Sequence, residues 1–332
     1  MSRIAVEAKV DPGLGLEAIL QYLAPIRPLL LASEVDEVQI NAGGRYVFTE
    51  RRGVQQLEDV HLDPVGLLAA LKRIAVESGQ EIEPDSVGLD CRFAGGRLSA
   101  VFEPVSCEGI SCTIRKFHSV RLTLADLVAG GTLTAELAHV LHQAVLDRKN
   151  ILVSGATGSG KTVLSGALAN LFPPEERILL IEQPRELQLK QPNVVCWEAL
   201  ASGPGGNPVT QRDLLKRALR AHPSRIIVGE IRGEEAAEVL MITNTGHRGT
   251  ITTQHSSGCR DALERFCTLC LMAPDRWPWD ALRRAIAGNI HVVVHMEQRP
   301  DRSRYVAEAV AVEGYDRATD SFLASPLLEP QI

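Results

Sequence analysis

The sequence predicts an α/β protein with a parallel-sheet core, preceded by a smaller α+β domain. From residue 150 onward, short apolar strands alternate with helices, which is typical of parallel strands joined by crossover helices. A glycine-rich turn lies between the first of these strands and the next helix. The first 116 residues show hairpin-like strands around one helix instead. We therefore expect an α+β domain at 1–116, a linker at 117–133 and the α/β domain at 134–332.

The hydrophobic pattern of the first domain predicts several strands and one amphipathic helix. Residues 35–40 alternate in polarity, 41–44 (Asn-Ala-Gly-Gly) suit a hairpin turn, and 45–49 form the return strand. Residues 67–78 place apolar side chains on one helical face. Further short strands are expected at 91–93, 97–102 and 110–116.

In the second domain the pattern predicts alternating strands and helices. A short helix is expected around 124–128 and an amphipathic helix at 134–148. The candidate strands are 151–154, 177–182, 194–197, 225–230 and 249–254. The candidate helices are 161–171, 210–221, 234–245, 259–271 and 279–288. Residues 290–296 and 305–312 are expected to close the domain as a hairpin.

The composition is that of a globular protein and argues against several other classes. Hydrophobic residues make up 45% of the 332 residues, yet no apolar run approaches the ~20 residues of a membrane span. The formal net charge of −6 argues against a general nucleic-acid binder. Seven cysteines, an odd number, favour reduced thiols in a cytosolic protein. The N-terminal residues lack the apolar stretch of a signal peptide.

The glycine-rich turn fits the pattern G-x-x-x-x-G-K-[ST] at every fixed position. Its residues are Gly155, Ala156, Thr157, Gly158, Ser159, Gly160, Lys161 and Thr162. Glycines allow backbone N–H groups to turn toward phosphate oxygens, and the helix N-terminus adds partial positive charge. We therefore expect Lys161 to reach the β- and γ-phosphates of a nucleotide and the Thr162 hydroxyl to bind Mg²⁺.

Two glutamates, Glu182 and Glu230, end predicted strands of the parallel sheet. The carboxyl ends of parallel strands meet at the edge where nucleotides bind. ATP hydrolysis needs a carboxylate to orient or deprotonate the attacking water, and often another near Mg²⁺. Both residues are therefore candidates for catalysis, although each could also be a solvated strand end.

Two histidines and three arginines complete the set of candidate residues. His247 and His255 flank the predicted strand at 249–254, so the pair could sense the γ-phosphate or couple conformational changes, although a lone histidine is usually structural. Charge on the phosphate in the transition state often needs an arginine. Arg232, close to Glu230, is one candidate, and Arg97 and Arg115 of the first domain are others. Ordinary surface ion pairing is the alternative for each.

Four motifs taken together resemble the secretion "traffic" ATPases of type II secretion, type IV secretion and type IV pili. Residues 155–162 resemble the Walker A loop, and I-E-Q-P-R-E-L at 181–187 resembles the Asp box. Residues 219–233 resemble the atypical Walker B motif, and 245–255 the His box. Residues 41–53 and 114–117 resemble the N-terminal domain of the CpaF-like branch, which serves tight-adherence pili and type IV secretion.

The resemblance implies a RecA-like C-terminal domain and a homohexameric ring at the cytoplasmic face of the inner membrane. Such a ring would act on an inner-membrane platform protein. ATP would bind between the two domains of a subunit, and its hydrolysis would drive domain motion. The residues carried over are Lys161 and Thr162 for phosphate and Mg²⁺, Glu230 for water activation, Glu182 near water or Mg²⁺, His247 and His255 as the His box, and Arg97 and Arg115 as nucleotide-reaching arginines of the first domain.

The chain departs from the usual motifs at a few positions. Gln183 stands where an aspartate is usual, Ser224 replaces the aspartate of P-D-R, and Ser256-Ser257 follow His255 in place of Ala-Asn. Gln183 puts the role of the Asp box in question, but Glu182 remains, so hydrolysis is still expected.

Three other functions are compatible with the residues. A conjugative DNA-transfer motor of the same family is one, although the acidic charge implies that this subunit does not itself bind DNA. A small-molecule kinase could use the same loop, but the sequence shows no arginine-rich lid insertion. A non-hydrolysing nucleotide-binding scaffold is supported only by Gln183.

Overall fold

The structure is a computed structural model that describes residues 14–51, 53–116, 122–200, 207–274 and 277–328. The chain divides into two compact units, 1–118 and 119–332, and each unit has its own buried core. No helix in the described ranges is both long enough and apolar enough to cross a bilayer.

The first unit combines a few helices with an antiparallel sheet. Its helices are α1 (Leu14–Tyr22), α2 (Arg27–Leu31) and α3 (Pro64–Glu77), and its strands are β1 (Glu37–Asn41), β2 (Tyr46–Arg51), β3 (Val54–Glu58), β4 (Gly88–Phe93), β5 (Gly96–Val101) and β6 (Ser111–Lys116). Over the described residues the sheet order is β3-β2-β1-β6-β5-β4. The Asp63 carboxylate caps α3 by accepting from the Gly66 N–H. Helix side chains such as Ile19 and Leu71 form a core with Ile40 of the sheet.

The second unit is built on a mostly parallel sheet with helices on its faces. Its helices are α4 (Leu124–Ala129), α5 (Ala135–Leu146), α6 (Lys161–Ala169), α7 (Gln211–Ala218), α8 (Glu235–Asn244), α9 (Cys259–Leu271) and α10 (Trp279–Asn289). Its strands are β7 (Ile151–Gly155), β8 (Ile178–Glu182), β9 (Val194–Glu198), β10 (Arg225–Glu230), β11 (Ile251–Gln254), β12 (Val292–Gln298), β13 (Arg304–Asp316) and β14 (Ser321–Leu328). The described strands run in the order β14-β13-β12-β7-β11-β10-β8-β9.

Strand direction separates this sheet into two parts. The pairs from β12 through β9 are parallel, whereas β13 and β14 pair antiparallel at one end. One hydrophobic cluster draws on α4, α5 and α6, and another on α7 to α10. β7 and β8 are buried along their whole length because helices cover the sheet.

The predicted fold class is confirmed, and the differences lie at its margins. β3 is missed because its side chains are mostly exposed and show no apolar alternation. The predicted linker at 117–133 needs correction, since Leu124, Leu127 and Leu133 are buried in the core of the second unit. Their apolar side chains pack with α5 and α6, so this stretch belongs to the second unit. Residues 117–121 of the predicted linker lie outside the described residues.

Asn150, immediately before β7, joins three neighbouring strands at the end of the sheet where β7 begins. Its Oδ1 accepts from the Thr250 N–H at 2.9 Å, next to β11. Its Nδ2 donates to the Asn289 carbonyl at 2.7 Å, and its own N–H donates to His291 Nδ1 at 3.0 Å. One buried amide thus fixes the starting points of β11 and β12 against β7.

A buried ion pair joins β10 to the segments around α5 and α6. The Arg225 guanidinium, 1% exposed, donates through Nε to Glu176 Oε2 at 2.5 Å and through Nη1 to the Val145 carbonyl at 3.1 Å. It also lies over the Phe172 ring at 4.6 Å. Gly249 leaves room for it, since a Cβ there would lie 1.9 Å from Arg225 Nη1.

Candidate functional site

The predicted phosphate loop lies between β7 and α6, at the carboxyl end of the central strand. Gly158 and Gly160 have φ of 77° and 98°, values that L side chains rarely adopt. A Cβ at Gly155 would lie 2.3 Å from the Met296 carbonyl oxygen, so only glycine fits at this position. The first N–H groups of α6 have no acceptor within the helix, and they are available to an anion.

Lys161 is buried beneath this loop, and its ammonium group contacts the loop backbone. Nζ donates to the carbonyls of Gly155 and Ala156, each at 2.9 Å. It also lies 3.4 Å from His255 Nδ1. The lysine therefore bonds loop carbonyls that a nucleotide phosphate could replace as its partner.

Glu230 is the carboxylate that the structure brings to this lysine and histidine. Arg232 Nη2 donates to its Oε2 at 2.9 Å, and His255 Nε2 lies 2.8 Å from its Oε1. Burial raises the pKa of Glu230, but the hydrogen bond and charge of Arg232, with the charges of His255 and Lys161, lower the pKa below its usual value overall. Glu230 is thus held in the ionised form that can accept a hydrogen bond from water.

Glu182 also ends a strand at this edge, but its carboxylate faces the backbone. The side chain is 3% exposed, and both oxygens lie within reach of the Leu187 N–H, at 3.1 and 3.3 Å. Burial raises the pKa of Glu182 to about 7, although bonds from the Leu187 and Glu186 backbone oppose this shift. The Gly229 backbone packs against it, and a Cβ there would lie 2.9 Å from Glu182 Cγ.

The two predicted histidines are not brought together. His255 follows the carboxyl end of β11 and contacts the loop, since its Nδ1 lies 3.2 Å from the Gly155 carbonyl oxygen. His247 precedes the same strand, and its Nδ1 lies 3.4 Å from Thr245 Oγ1. β11 therefore separates the two histidines within one subunit, and a role of His247 at the phosphate site stays a prediction from the resemblance.

The two arginines of the first unit face one another across neighbouring strands. Arg97 of β5 and Arg115 of β6 are directly paired in the sheet register. Arg97 donates to Asp90 at 3.2 Å, an exposed ion pair. Their proposed reach to a nucleotide remains a prediction from the resemblance.

Sequence reasoning missed residues from β12 and β13 that form one wall of the loop. Arg304 Nε donates to the Gly158 carbonyl at 2.8 Å. Buried His295, whose pKa is lowered by burial, lies with Nδ1 2.9 Å from Ser154 Oγ. Their position depends on the pairing of β12 with β7, which brings Met296 opposite Gly155 and which the sequence pattern did not indicate.

Two buried polar atoms at this edge lack hydrogen-bond partners in the described part of the chain: Ser159 Oγ and Glu230 Oε1. The neighbouring His255 ring nitrogen is close to Glu230 Oε1 but is not aligned to donate to it. A cleft of about 290 Å³ opens beside Glu230 and Arg232 and also touches Gln183 and Arg212. Unpartnered oxygens, a lysine and free helix N–H groups fit a triphosphate with a hydrated cation.

Known proteins with similar sequences and structures point to one family. A family model described as "Type II/IV secretion system protein" matches residues 84–302. The type IV secretion system protein PtlH of Bordetella pertussis is 31% identical over 307 residues, covering 84% of this chain and 90% of that protein. The conjugal transfer protein TrbB of Rhizobium radiobacter is 30% identical over 286 residues, covering 85% of this chain and 84% of that protein.

A solved structure supports the same fold. The X-ray structure of the Legionella pneumophila ATPase DotB superposes with a TM-score of 0.58 at 21% identity, covering 90% of this chain and 79% of that one. At this identity the likeness shows the fold alone, a RecA-like domain with a preceding N-terminal domain. The family model, by contrast, spans most of the chain and includes the phosphate loop, Glu230 and His255. The chain therefore belongs to the type II/IV secretion system protein family, the secretion and conjugal-transfer ATPases.

Proposed function

We propose that this protein hydrolyses ATP as the motor subunit of a pilus-assembly or type IV secretion machine. The observation that carries the proposal is the contact series from Lys161 through His255 and Glu230 to Arg232 at one edge of the sheet. It places a cation at the loop and an ionised carboxylate beside a histidine. These are the groups that phosphoryl transfer to water requires.

The chain's own residues suggest how the reaction proceeds. Lys161 and the N–H groups of the loop would bind the β- and γ-phosphates, and Thr162 would bind Mg²⁺, which neutralises phosphate charge. Glu230 would orient the attacking water and accept its proton. The new P–O bond forms as the bond to the β-phosphate oxygen breaks, releasing ADP and phosphate. Arg232 would hold Glu230 in position.

Two substitutions test this assignment in the full-length protein. Lys161→Ala should reduce ATP turnover to background because it removes the cation from the loop. Glu230→Gln should retain ATP binding while turnover falls by roughly 10²- to 10⁴-fold, the usual contribution of general base catalysis. Turnover by phosphate release and binding by a fluorescent ATP analogue would measure both effects. Normal turnover in Lys161→Ala would contradict the site, and normal turnover in Glu230→Gln would contradict the role of Glu230.

Conjugative DNA transfer is the second candidate. Its support is the similarity to TrbB, which is named a conjugal transfer protein. In either case we propose a homohexamer that acts through an inner-membrane platform protein at the cytoplasmic face of the membrane. With a net charge of −6, the subunit is not expected to bind DNA itself. An electrophoretic mobility assay with single- and double-stranded DNA tests that expectation.

A further inference from the structure

A short hairpin between β12 and β13 lies against the phosphate loop. Gln298 and Arg304 are paired across this hairpin, and its turn is closed by the Arg299 N–H, which donates to the Ser303 carbonyl at 2.8 Å. The Arg299 guanidinium lies over the Tyr305 ring at 4.0 Å, and the Tyr305 hydroxyl donates to Glu297 at 2.9 Å. Both neighbours of Arg304, Ser303 and Tyr305, are therefore held in place within the hairpin. These contacts fix the backbone at Arg304 and so the direction in which its side chain leaves the strand.

Arg304 contacts the loop at two glycines. Its Nε donates to the Gly158 carbonyl at 2.8 Å, and its Cδ would lie 3.1 Å from a Cβ at Gly160. Met296 Cε is at 3.2 Å from the same position. At Gly158 itself a Cβ would meet no atom within 4 Å, so this part of the loop faces open space. The exposed Arg304 side chain supplies a hydrogen bond to it from the neighbouring hairpin.

We propose that Arg304 is a positioning residue that holds the phosphate loop in its binding conformation before nucleotide arrives. This inference rests on the proposed ATPase function. A glycine-rich loop loses much conformational freedom when it becomes ordered around a ligand. A loop already fixed through the Gly158 carbonyl loses less, so the contribution of Arg304 should appear in nucleotide affinity. It should not appear in the chemical step, because Glu230 is bonded by Arg232, and His255 contacts Gly155 and Lys161 at the ends of the loop rather than Gly158.

The test compares Arg304→Met with Arg304→Lys in the full-length protein. Methionine keeps an unbranched stem against Gly160 but has no donor, whereas lysine can still donate to the Gly158 carbonyl. Arg302→Met is the matched control, because it removes the same charge from the same hairpin; its side chain is exposed and makes no hydrogen bond or ion pair to the loop among the described residues. Arg304→Ala is a second donor-free variant, should the methionine variant be poorly folded.

Arg304→Met should raise the KM for ATP about tenfold with kcat within about twofold, as expected for loss of one charge-assisted hydrogen bond. Arg304→Lys should recover most of the affinity, and Arg302→Met should behave as the unmodified protein. In nucleotide-free protein, amide hydrogen exchange over residues 155–162 should become faster in Arg304→Met only.

Two results for Arg304→Met would overturn the inference. One is a KM and an exchange rate that both equal those of the unmodified protein. The other is a reduced kcat with an unchanged KM. The exchange measurement needs no activity. If the unmodified protein hydrolyses no ATP, the proposed function fails, and the exchange rates of the empty loop still decide the role of Arg304.

Discussion

At the scale of single residues, Glu182 and Glu230 differ although both end neighbouring parallel strands. Glu230 faces Arg232 and His255, and its interactions with Arg232, His255 and Lys161 lower its pKa despite the effect of burial. Glu182 has no such ion pair among the described residues, and its oxygens face the Leu187 N–H. Glu182 is therefore bonded to the loop after β8, whereas Glu230 lies beside the histidine that contacts the phosphate loop; a catalytic role for either stays a prediction.

The raised pKa of Glu182 predicts a pH-dependent cost to stability. Burial raises this pKa from 4.5 to about 7, so between these values the folded protein binds more protons than the unfolded chain. The free energy of unfolding should therefore fall as the pH rises through this window. Glu182→Gln removes the titration, so its stability relative to the unmodified protein should increase by about 3 kcal/mol from pH 4.5 to 8, at 1.36 kcal/mol per pKa unit.

Urea unfolding at pH 5 and pH 8 measures this difference. Glu175→Gln, which changes an exposed carboxylate of the same unit, is the control and should show no such trend. The raised pKa would be contradicted if Glu182→Gln changed the free energy of unfolding by the same amount at pH 5 and pH 8.

At the scale of secondary-structure elements, the ion pair of Arg225 and Glu176 predicts strong coupling between β10 and the segment after α6. Glu176→Gln leaves a buried guanidinium without its carboxylate, which should cost about 3–5 kcal/mol of stability. Changing both residues, as in Arg225→Met with Glu176→Leu, should cost less than the sum of the single changes because no buried unpaired charge remains; the second partner of Glu176, Arg148, is about half exposed.

A double-mutant cycle by urea unfolding measures this coupling. The pair of exposed Arg317 and half-buried Asp280 provides the comparison, since Asp280→Asn should cost less than about 1 kcal/mol. Additive single effects at Arg225 and Glu176 would show that the pair contributes no coupling.

The sequence predicts an element well where residues close together in the chain determine its structure. The loop at 155–162 is recognisable because glycines, lysine and threonine occur at fixed spacing between a strand and a helix. It does not predict that the Glu182 carboxylate accepts from the Leu187 N–H, since this depends on the path of the chain after β8. The pairing of β12 with β13 was predicted as a hairpin, but the place of Arg304 also depends on the pairing of β12 with β7, which no local pattern encodes.

The separation of His247 from His255 could be inferred from the predicted strand between them. The strand between the two histidines, β11, is only four residues long, but at about 3.3 Å per residue it still separates its two ends by about 13 Å. The two histidines therefore lie at opposite ends of β11, as the predicted strand at 249–254 already implied.

At the scale of the whole molecule, the proposed function predicts a ring. With ATP and Mg²⁺ the purified protein should have a mass near six subunits by light scattering, and Glu230→Gln should retain the ring because it retains nucleotide. A monomer under all nucleotide conditions would contradict the ring and would favour a small-molecule kinase that uses the same loop.

The amide of Asn150 has a consequence for binding at a distance. Parallel strands that slide past each other by two residues keep the same side chains buried, so burial alone does not fix their register along the strand axis. The Asn150 bonds next to β11 and β12 exclude such a shift, because each requires one particular backbone group. Asn150 therefore fixes the relative positions of Gly155, His255 and Met296 at the other end of these strands, about 16 Å away, the length of five strand residues. A substitution at Asn150 would alter nucleotide affinity without touching the nucleotide.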